Sequence, residues 1–158
     1  MTERLRILLA ASEVVGFAKT GGLADVAGFL PPALARRGLE VAVILPLYRC
    51  ARAAPAAPEP TEYVFHVPVG PRTVAGRLWR STLPDCGVPV YLVEQADYFE
   101  RDDPALGRGL YQFTHGGGLR DYPDNCERFV FFCRAVLEAL RALDWWPNVA
   151  SIGARAGP

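Results

Sequence analysis

The stretch that decides the fold runs from Arg6 to Leu34 and reads RILLAASEVVGFAKTGGLADVAGFLPPAL. It opens with a short apolar run over residues 6–10, which is typical of a buried strand. After a polar interval, apolar residues recur at helical spacing, at Leu23, Val26, Ala27, Leu30 and Leu34. A loop therefore joins a strand to a helix, and the pattern predicts an open α/β sheet.

The loop between this strand and this helix contains the chain's only lysine, Lys19, whereas the other sixteen basic residues are arginine. A lysine ammonium is a compact, mobile point charge that suits a phosphate or a sugar hydroxyl. Gly21 and Gly22 follow, and because neither has a Cβ, a substrate could approach the backbone closely. Ligands of open α/β sheets bind at the carboxyl ends of strands, near helix N-termini. We therefore predict a binding site here, and the alternative is a solvated loop lysine.

The order of these residues excludes two common phosphate motifs. In the P-loop the glycine precedes the lysine, and no Gly-x-Gly-x-x-Gly follows the first strand of this chain. The sequence instead resembles the N-terminal signature of bacterial glycogen synthases and plant starch synthases over residues 4 to about 149. The resemblance rests on residues 6–8, Ser12-Glu13, residues 19–26, Leu30-Pro31, residues 33–35, Arg37-Gly38, residues 41–46, Tyr48, Tyr122-Pro123-Asp124-Asn125 and Glu127-Arg128-Phe129.

The resemblance implies a two-domain GT-B glycosyltransferase, of which this chain is the Rossmann-like N-terminal domain without the C-terminal domain. Such enzymes transfer glucose from ADP-glucose to an α-1,4-glucan with retention, and they need neither a metal nor another cofactor. No complete catalytic set is expected on this chain, and Asp124 is the cleft candidate, although a helix cap is the simpler interpretation of that residue. The implied substrate-binding residues are Lys19, Thr20, Gly21, Gly22, Asp25, Asp124 and Asn125.

The end of the chain departs from the family pattern. After Trp145-Trp146-Pro147 the sequence keeps Val149 but lacks the histidine-containing motif that the resemblance implies. We therefore predict an incomplete N-terminal catalytic domain over residues 1–149 and a divergent tail over residues 150–158, from a frameshift, an early end or a split gene. Two functions remain: half of a glucan synthase completed by a separately encoded C-terminal half, or a noncatalytic remnant or glucan-binding module. Another nucleotide-sugar enzyme or an unrelated Rossmann-like protein is a weaker alternative.

Length and composition argue against several other classes of protein. The chain has 158 residues, 51% of them hydrophobic, with 17 basic and 17 acidic residues, so we expect one globular domain that binds no nucleic acid. No apolar run is long enough to cross a membrane, which predicts a cytoplasmic location. The four cysteines form no Cys-x-x-Cys pair, so neither zinc nor a disulfide framework is expected. Cys126 and Cys133 are interpreted as small core residues.

Periodicity predicts the other elements. Helix one spans about 23–37 with a kink at Pro31 and Pro32, and Gly38 ends it. Residues 51–60 are an exposed Ala/Pro loop, and residues 97–122 are a long irregular segment in which His115 has no catalytic role. A final helix starts at a capping box of Asp124 and Glu127.

The other predicted elements are strands at 5–10, 40–46 and 88–94, an edge hairpin of 61–69 and 73–83, and the helix at 124–143 with an apolar stripe of Phe129, Phe132, Cys133, Val136, Leu137 and Leu140. Incomplete cover of that stripe and of the sheet edge predicts poor solubility for the chain alone.

Overall fold

The structure is a computed structural model, and it describes residues 4–101 and 109–153. Strands and helices alternate in its first and last parts, with an antiparallel insertion between them. The elements are β1 (Arg6–Ala11), α1 (Gly22–Arg36), β2 (Glu40–Pro46), α2 (Arg49–Arg52), β3 (Glu59–Val69), β4 (Arg72–Thr82), β5 (Pro89–Glu94), α3 (Ala96–Phe99), β6 (Gln112–His115), β7 (Gly118–Asp121), α4 (Asn125–Leu143) and β8 (Val149–Gly153).

One mixed sheet organises the fold, with strand order β3-β4-β5-β2-β1-β8. The strands β5, β2, β1 and β8 are parallel, and the antiparallel hairpin of β3 and β4 extends the β5 side. A separate two-stranded sheet consists of β6 and β7. The predicted α/β, Rossmann-like class is confirmed, as is the edge position of the β3–β4 hairpin.

The central strands are apolar because both faces of the sheet are covered. Six of the seven residues of β2 are buried, and its neighbours β1 and β5 also contribute to the core. Helix α1 contacts β1 and β2, whereas α4 contacts β3, β4 and β5. The crossovers from β1 to β2 and from β5 to β8 run in opposite directions across the sheet, so right-handed connections place α1 and α4 on opposite faces.

Several predicted details are also confirmed. Helix α1 runs from Gly22 to Arg36 where 23–37 was predicted, with Pro31 and Pro32 inside it, and Gly38 follows it with a φ of +85°. Helix α4 begins one residue after the predicted start and ends at the predicted Leu143, where Asp144 adopts the left-handed conformation with a φ of +47°.

Other predictions were wrong. Residues 51 and 52 belong to α2, and β3 already begins at Glu59, so the Ala/Pro loop is shorter than expected. The irregular segment contains α3 and the β6–β7 hairpin, while residues 102–108 of it lie outside the described part of the chain. Cys126 lies in the first turn of α4 and is exposed, and Cys133 is half-buried, so neither is a small core residue. Leu137 is 54% exposed and does not belong to the buried stripe.

The predicted capping box at the start of α4 is also absent. The side chain of Asp124 makes no capping hydrogen bond. Its carboxylate binds Arg101 instead, and the Glu127 carboxylate accepts hydrogen bonds from Arg72 and Tyr98. A carboxylate binds a charged arginine more strongly than a neutral backbone N–H, so Arg101 and Arg72 replace the local cap.

The direction of the chain reverses across β1. From β1 it passes through α1 to β2 on one side, and it later returns through α4 to β8 on the other. Such a reversal leaves a crevice at the carboxyl ends of the two strands, which is the usual ligand position in open α/β sheets. Here the crevice lies just beyond Ser12, whose backbone N–H donates to the carbonyl oxygen of Gly153 at 2.9 Å.

Candidate functional site

The loop that contains Lys19 leaves β1 at this crevice and has a buried base. The backbones of Val14 and Ala18 form a short antiparallel bridge, and both side chains are buried. The N–H of Val15 donates to the carbonyl oxygen of Ala24 in α1 at 2.9 Å, which ties the loop to the helix that follows. The segment from Lys19 to Gly22 is therefore held on a defined support.

Glu13 anchors the middle of the loop from below. Its side chain is buried, with 2% of the residue exposed, and its Oε2 accepts hydrogen bonds from the backbone N–H and the hydroxyl of Thr20. The hydroxyl donates at 2.8 Å. Thr20, a predicted substrate-binding residue, thus turns its hydroxyl toward the protein. Sequence reasoning did not assign a role to Glu13, which entered only as part of a matching motif.

Lys19 itself is paired with Asp25 in the first turn of α1. Its Nζ lies 2.6 Å from Oδ1 and 2.8 Å from Oδ2 of that carboxylate. The two side chains are 49% and 40% exposed, and exposed ion pairs contribute only about 0–1 kcal/mol. The ammonium can therefore exchange Asp25 for a ligand anion at small cost.

Gly21 and Gly22 are exposed, and the protein itself does not require glycine at either position. A Cβ built on either residue would meet no atom within 4 Å. Gly21 has a φ of −154°, an extended conformation that any residue adopts. The space above this backbone is open, and Gly22 begins α1, where free N–H groups favour anions. Folding does not require glycine at these two positions, whereas a ligand that approaches the backbone closely would require it.

Asp124 lies at the N-terminus of α4 and is held by Arg101. Nη1 of Arg101 donates to Oδ1 at 2.7 Å, and its Nη2 donates to Oδ2, so the pair is bidentate. The Arg101 guanidinium lowers the pKa of Asp124, and the same hydrogen bonds raise the pKa of Arg101. Arg101 also donates to the carbonyl oxygen of Asp97 and lies over the ring of Tyr122.

Asn125 faces the interior. Its Nδ2 donates to the carbonyl oxygen of Tyr111 at 2.9 Å, and its Oδ1 accepts from Nη1 of Arg128 at 2.6 Å. Both ends of the amide therefore have protein partners. Asn125 therefore links α4 to the segment that precedes the β6–β7 hairpin by hydrogen bonds.

Arg128, which donates to Asn125, is a buried cation with no exposed surface. Its Nη2 donates to the carbonyl oxygen of Leu110 at 2.9 Å, and the rings of Phe99, Tyr122 and Phe129 lie 5.1–5.6 Å from its guanidinium carbon. Burial lowers the pKa of this guanidinium. The apolar pattern of α4 could not reveal this role, because the pattern predicts an arginine there to be solvated.

Tyr111 joins the two groups of predicted site residues. Its backbone accepts from Asn125, and its hydroxyl donates to Oγ of Ser12, at the end of β1, at 2.6 Å. Lys19, Thr20, Gly21, Gly22 and Asp25 thus form one group on the α1 side of the crevice, and Asp124 and Asn125 form a second group on the α4 side. His115 belongs to neither, since it lies at the turn of the β6–β7 hairpin opposite Gly118.

Two further features are absent from residues 4–101 and 109–153. No helix there is long and apolar enough to cross a membrane. No cluster of three or more His, Cys, Asp or Glu residues in those ranges could hold a metal ion.

The chain is similar to one group of known proteins. A family model described as the starch synthase catalytic domain matches residues 6–152. Glycogen synthase of Syntrophotalea carbinolica is 48% identical over 145 residues, which are 92% of this chain and 28% of that protein. Glycogen synthase 2 of Geobacter sulfurreducens is 42% identical over 145 residues, with the same two coverages.

A solved structure is similar as well. The catalytic domain of starch synthase IV from Arabidopsis thaliana, bound to ADP and acarbose, matches 95% of this chain and 28% of that chain, with a TM-score of 0.75 and 26% identity. The chain therefore spans a little over a quarter of the length of the relatives it matches.

Proposed function

The chain belongs to the starch synthase catalytic domain family, and on that premise we propose that it supplies the N-terminal part of a glucosyltransferase. The reaction transfers glucose from ADP-glucose to an α-1,4-glucan with retention, without a metal or another cofactor. Two curated relatives are glycogen synthases, and the starch synthase IV structure contains ADP and acarbose. These findings support a nucleotide-sugar donor and a glucan acceptor for this chain.

The observation that carries the proposal is the open backbone at Gly21 and Gly22. Neither sterics nor backbone conformation demands glycine there, and both positions lie at the crevice where α/β sheets bind ligands. Lys19 lies beside them in an exposed ion pair with Asp25, and breaking this pair costs little free energy. In the proposed site Lys19 moves from Asp25 to the donor and stabilises the charge that leaves with ADP.

The second group of residues forms the opposite wall. Asp124 is the proposed cleft residue and is positioned by Arg101. Asn125 stabilises this side of the crevice through its hydrogen bond to the carbonyl oxygen of Tyr111. Thr20 acts through the loop, because its hydroxyl binds Glu13. The proposed substrate-binding set is Lys19, Thr20, Gly21, Gly22, Asp25, Asp124 and Asn125.

The organisation of the active enzyme is part of the same proposal. Residues 1–149 together with the rest of β8 belong to the N-terminal catalytic domain, and a C-terminal half completes the active enzyme. We place the enzyme in the cytoplasm. The pairing of Asp124 and Asn125 with protein groups favours a second candidate function, a noncatalytic glucan-binding module.

The test is transfer of labelled glucose from ADP-glucose to glycogen. The purified chain is assayed alone and after mixing with the part of the S. carbinolica glycogen synthase that lies outside the matched region. Lys19→Ala is the test variant, and Arg37→Ala is its control, because Arg37 is an exposed basic residue at the other end of α1. Circular dichroism confirms that each sample is folded.

We expect transfer in the mixture, with a loss of at least about tenfold for Lys19→Ala, the effect of one displaced charge contact. Arg37→Ala should retain the wild-type rate. If the folded chain alone binds glycogen but the mixture transfers no glucose, the result supports the binding-module function instead. Equal rates for the two variants would remove Lys19 from the site.

A further inference from the structure

Glu13 is buried, with only 2% of the residue exposed, although its side chain is a carboxylate. In the ranges 4–101 and 109–153 no lysine, arginine or histidine forms an ion pair with it, and Lys19, the nearest basic residue in sequence, pairs with Asp25. A buried charge is costly unless hydrogen bonds replace its water. Both hydrogen bonds that the structure gives this carboxylate come from Thr20. The cost of burying Glu13 is therefore offset at a single residue of the loop.

The loop around Thr20 spans two points at which the backbone is fixed. At one end Ala18 forms the bridge with Val14, in which each backbone N–H donates to the carbonyl oxygen of the other residue, at 2.9 and 3.0 Å. At the other end the carbonyl oxygen of Ala24 accepts from the N–H of Val15. The residues between Ala18 and Ala24 need a further contact if their N–H groups are to keep one direction.

Two side-chain contacts provide hydrogen bonds to this span in the part of the chain that the structure describes. Lys19 binds Asp25 in an exposed ion pair, and Thr20 binds Glu13 at the buried base of the loop. In the proposed function Lys19 leaves Asp25 for the donor, so the contact between Thr20 and Glu13 is the one that persists while a ligand is bound. Because Thr20 lies between Lys19 and Gly21, holding it also limits the motion of both neighbours.

We propose that Glu13 is a positioning residue for donor binding. It holds Thr20 so that Lys19 and the backbone N–H groups of Gly21 and Gly22 point together at the diphosphate of the donor. Glu13 acts through Thr20 and does not touch the ligand. The inference rests on the proposed function, and it adds a residue to that site which lies beneath the loop.

A carboxylate suits this role better than an amide of the same shape. Both carboxylate oxygens accept hydrogen bonds, so no rotation of the terminal group turns a donor toward the N–H of Thr20, whereas one orientation of glutamine does. A charged acceptor also forms stronger hydrogen bonds than a neutral one. The residue type at position 13 therefore favours one fixed position of Thr20.

The charge of Glu13 sharpens the test, because a carboxylate repels an anionic ligand nearby. If repulsion were the main effect of Glu13, removing its charge would tighten the binding of ADP. If positioning is the main effect, removing the contact weakens that binding, and retaining an acceptor without the charge largely preserves it. The two effects thus predict opposite results for the same substitutions.

Titration with ADP, followed by heteronuclear NMR of the Gly21 and Gly22 amides, separates these effects. The isotopically labelled chain is mixed with the unlabelled part of the S. carbinolica glycogen synthase that lies outside the matched region. Glu13→Ala should raise the Kd for ADP about tenfold, because the loop must then be ordered on binding, and fixing the backbone of one residue corresponds to a factor of roughly ten. Glu13→Gln should stay within about threefold of wild type.

The matched control is Glu138→Ala, which removes a glutamate of α4 that pairs with the exposed Arg141. This variant should bind ADP like the wild type. Each variant is titrated at a temperature well below its own Tm, so that a loss of stability does not enter the Kd.

Substitutions of Thr20 test the same contact from the other side. Thr20→Val removes the hydroxyl that donates to Glu13 and should weaken ADP binding, whereas Thr20→Ser keeps a hydroxyl and should bind like the wild type. In a Glu13→Ala background the valine substitution should have little further effect, because the two residues act through one contact. Thr20→Val also decides the question if Glu13→Ala does not fold.

Four results would overturn the proposal. They are the absence of any ADP-dependent shift at Gly21 and Gly22 in the wild type, tighter binding by either Glu13 variant, equal Kd values for Glu13→Ala and Glu138→Ala, and equal effects of Thr20→Val in the two backgrounds. Failure of the proposed function is a different result, in which ADP shifts these amides but the mixture transfers no glucose.

Discussion

Gly28→Ala should destabilise the fold, whereas Gly22→Ala should leave it unchanged, although both glycines belong to α1. Gly28 is buried, and a Cβ there would lie 2.2 Å from Cγ1, 3.4 Å from Cβ and 3.5 Å from the backbone nitrogen of Val15. That nitrogen is hydrogen-bonded to Ala24, so Val15 cannot simply withdraw. At Gly22 the added methyl group meets nothing within 4 Å.

The two effects at Gly28 oppose each other. Alanine is favoured over glycine in a helix interior by about 1 kcal/mol, whereas overfilling a packed contact costs about 1–3 kcal/mol. The contact dominates because Cγ1 at 2.2 Å is far inside van der Waals distance and the χ1 angle of a β-branched valine is stiff. With a contact cost in the upper part of that range, about 2–3 kcal/mol, we expect a net loss of about 1–2 kcal/mol in the free energy of unfolding, or roughly 2–8 °C in Tm for a chain of this size. For Gly22→Ala the change should stay within about 0.5 kcal/mol.

Urea denaturation followed by tryptophan fluorescence measures both variants. The double variant Val15→Ala, Gly28→Ala provides the control, because removing Cγ1 of Val15 removes the clash and should give a favourable coupling energy of about 1 kcal/mol. A neutral Gly28→Ala, or a Gly22→Ala as destabilising as Gly28→Ala, would refute the steric reasoning.

The same pair separates folding from binding. If a ligand occupies the open space above Gly22, a methyl group there obstructs the ligand and not the protein. Gly22→Ala should therefore lower glucose transfer in the mixed assay without lowering Tm. Unchanged transfer would remove close ligand approach as the reason for this glycine.

Two further variants test the wall of the site formed by α4. Arg128→Met should lower the free energy of unfolding by about 2 kcal/mol in urea denaturation, because Asn125 Oδ1 and the carbonyl oxygen of Leu110 lose a buried donor; a variant as stable as wild type contradicts this. Arg101 depresses the pKa of Asp124, so the stability from this pair is complete above the ordinary pKa and is lost as pH falls through the folded-state pKa. Unfolding measured between about pH 5 and pH 2 should therefore show a steeper loss for wild type than for Asp124→Asn, and parallel curves would argue against the pair.

The elements predicted best from sequence are the central strands, because their burial in the sheet requires apolar residues. The predicted strand at 40–46 is Glu40–Pro46 in the structure, because a parallel strand covered on both faces must be apolar throughout. The β6–β7 hairpin was missed because it is short and polar. Its clue is the pair Gly116-Gly117, whose φ values of +58° and +79° are those of a two-residue hairpin turn.

The side-chain partners of the site were not predictable. Spacing placed the Lys19 loop between a strand and a helix, but it could not pair Asp124 with Arg101, which is 23 residues away. Local rules gave Asp124 a capping role worth about 1 kcal/mol, and a bidentate charged partner replaced it. The burial of Arg128 depends likewise on three rings that only the folded chain brings together.

These contacts determine which groups are available for recognition. Among the site residues in the described part of the chain, Thr20, Asp124 and Asn125 already bind protein groups, while Lys19 has only an exposed partner and Gly21 and Gly22 face open space. Recognition by this wall would then rest on backbone N–H groups and one mobile cation. Backbone groups cannot reorient as side chains do, so the precision of such a site depends on what holds the loop from below. Here that support is buried Glu13 and the bridge between Val14 and Ala18.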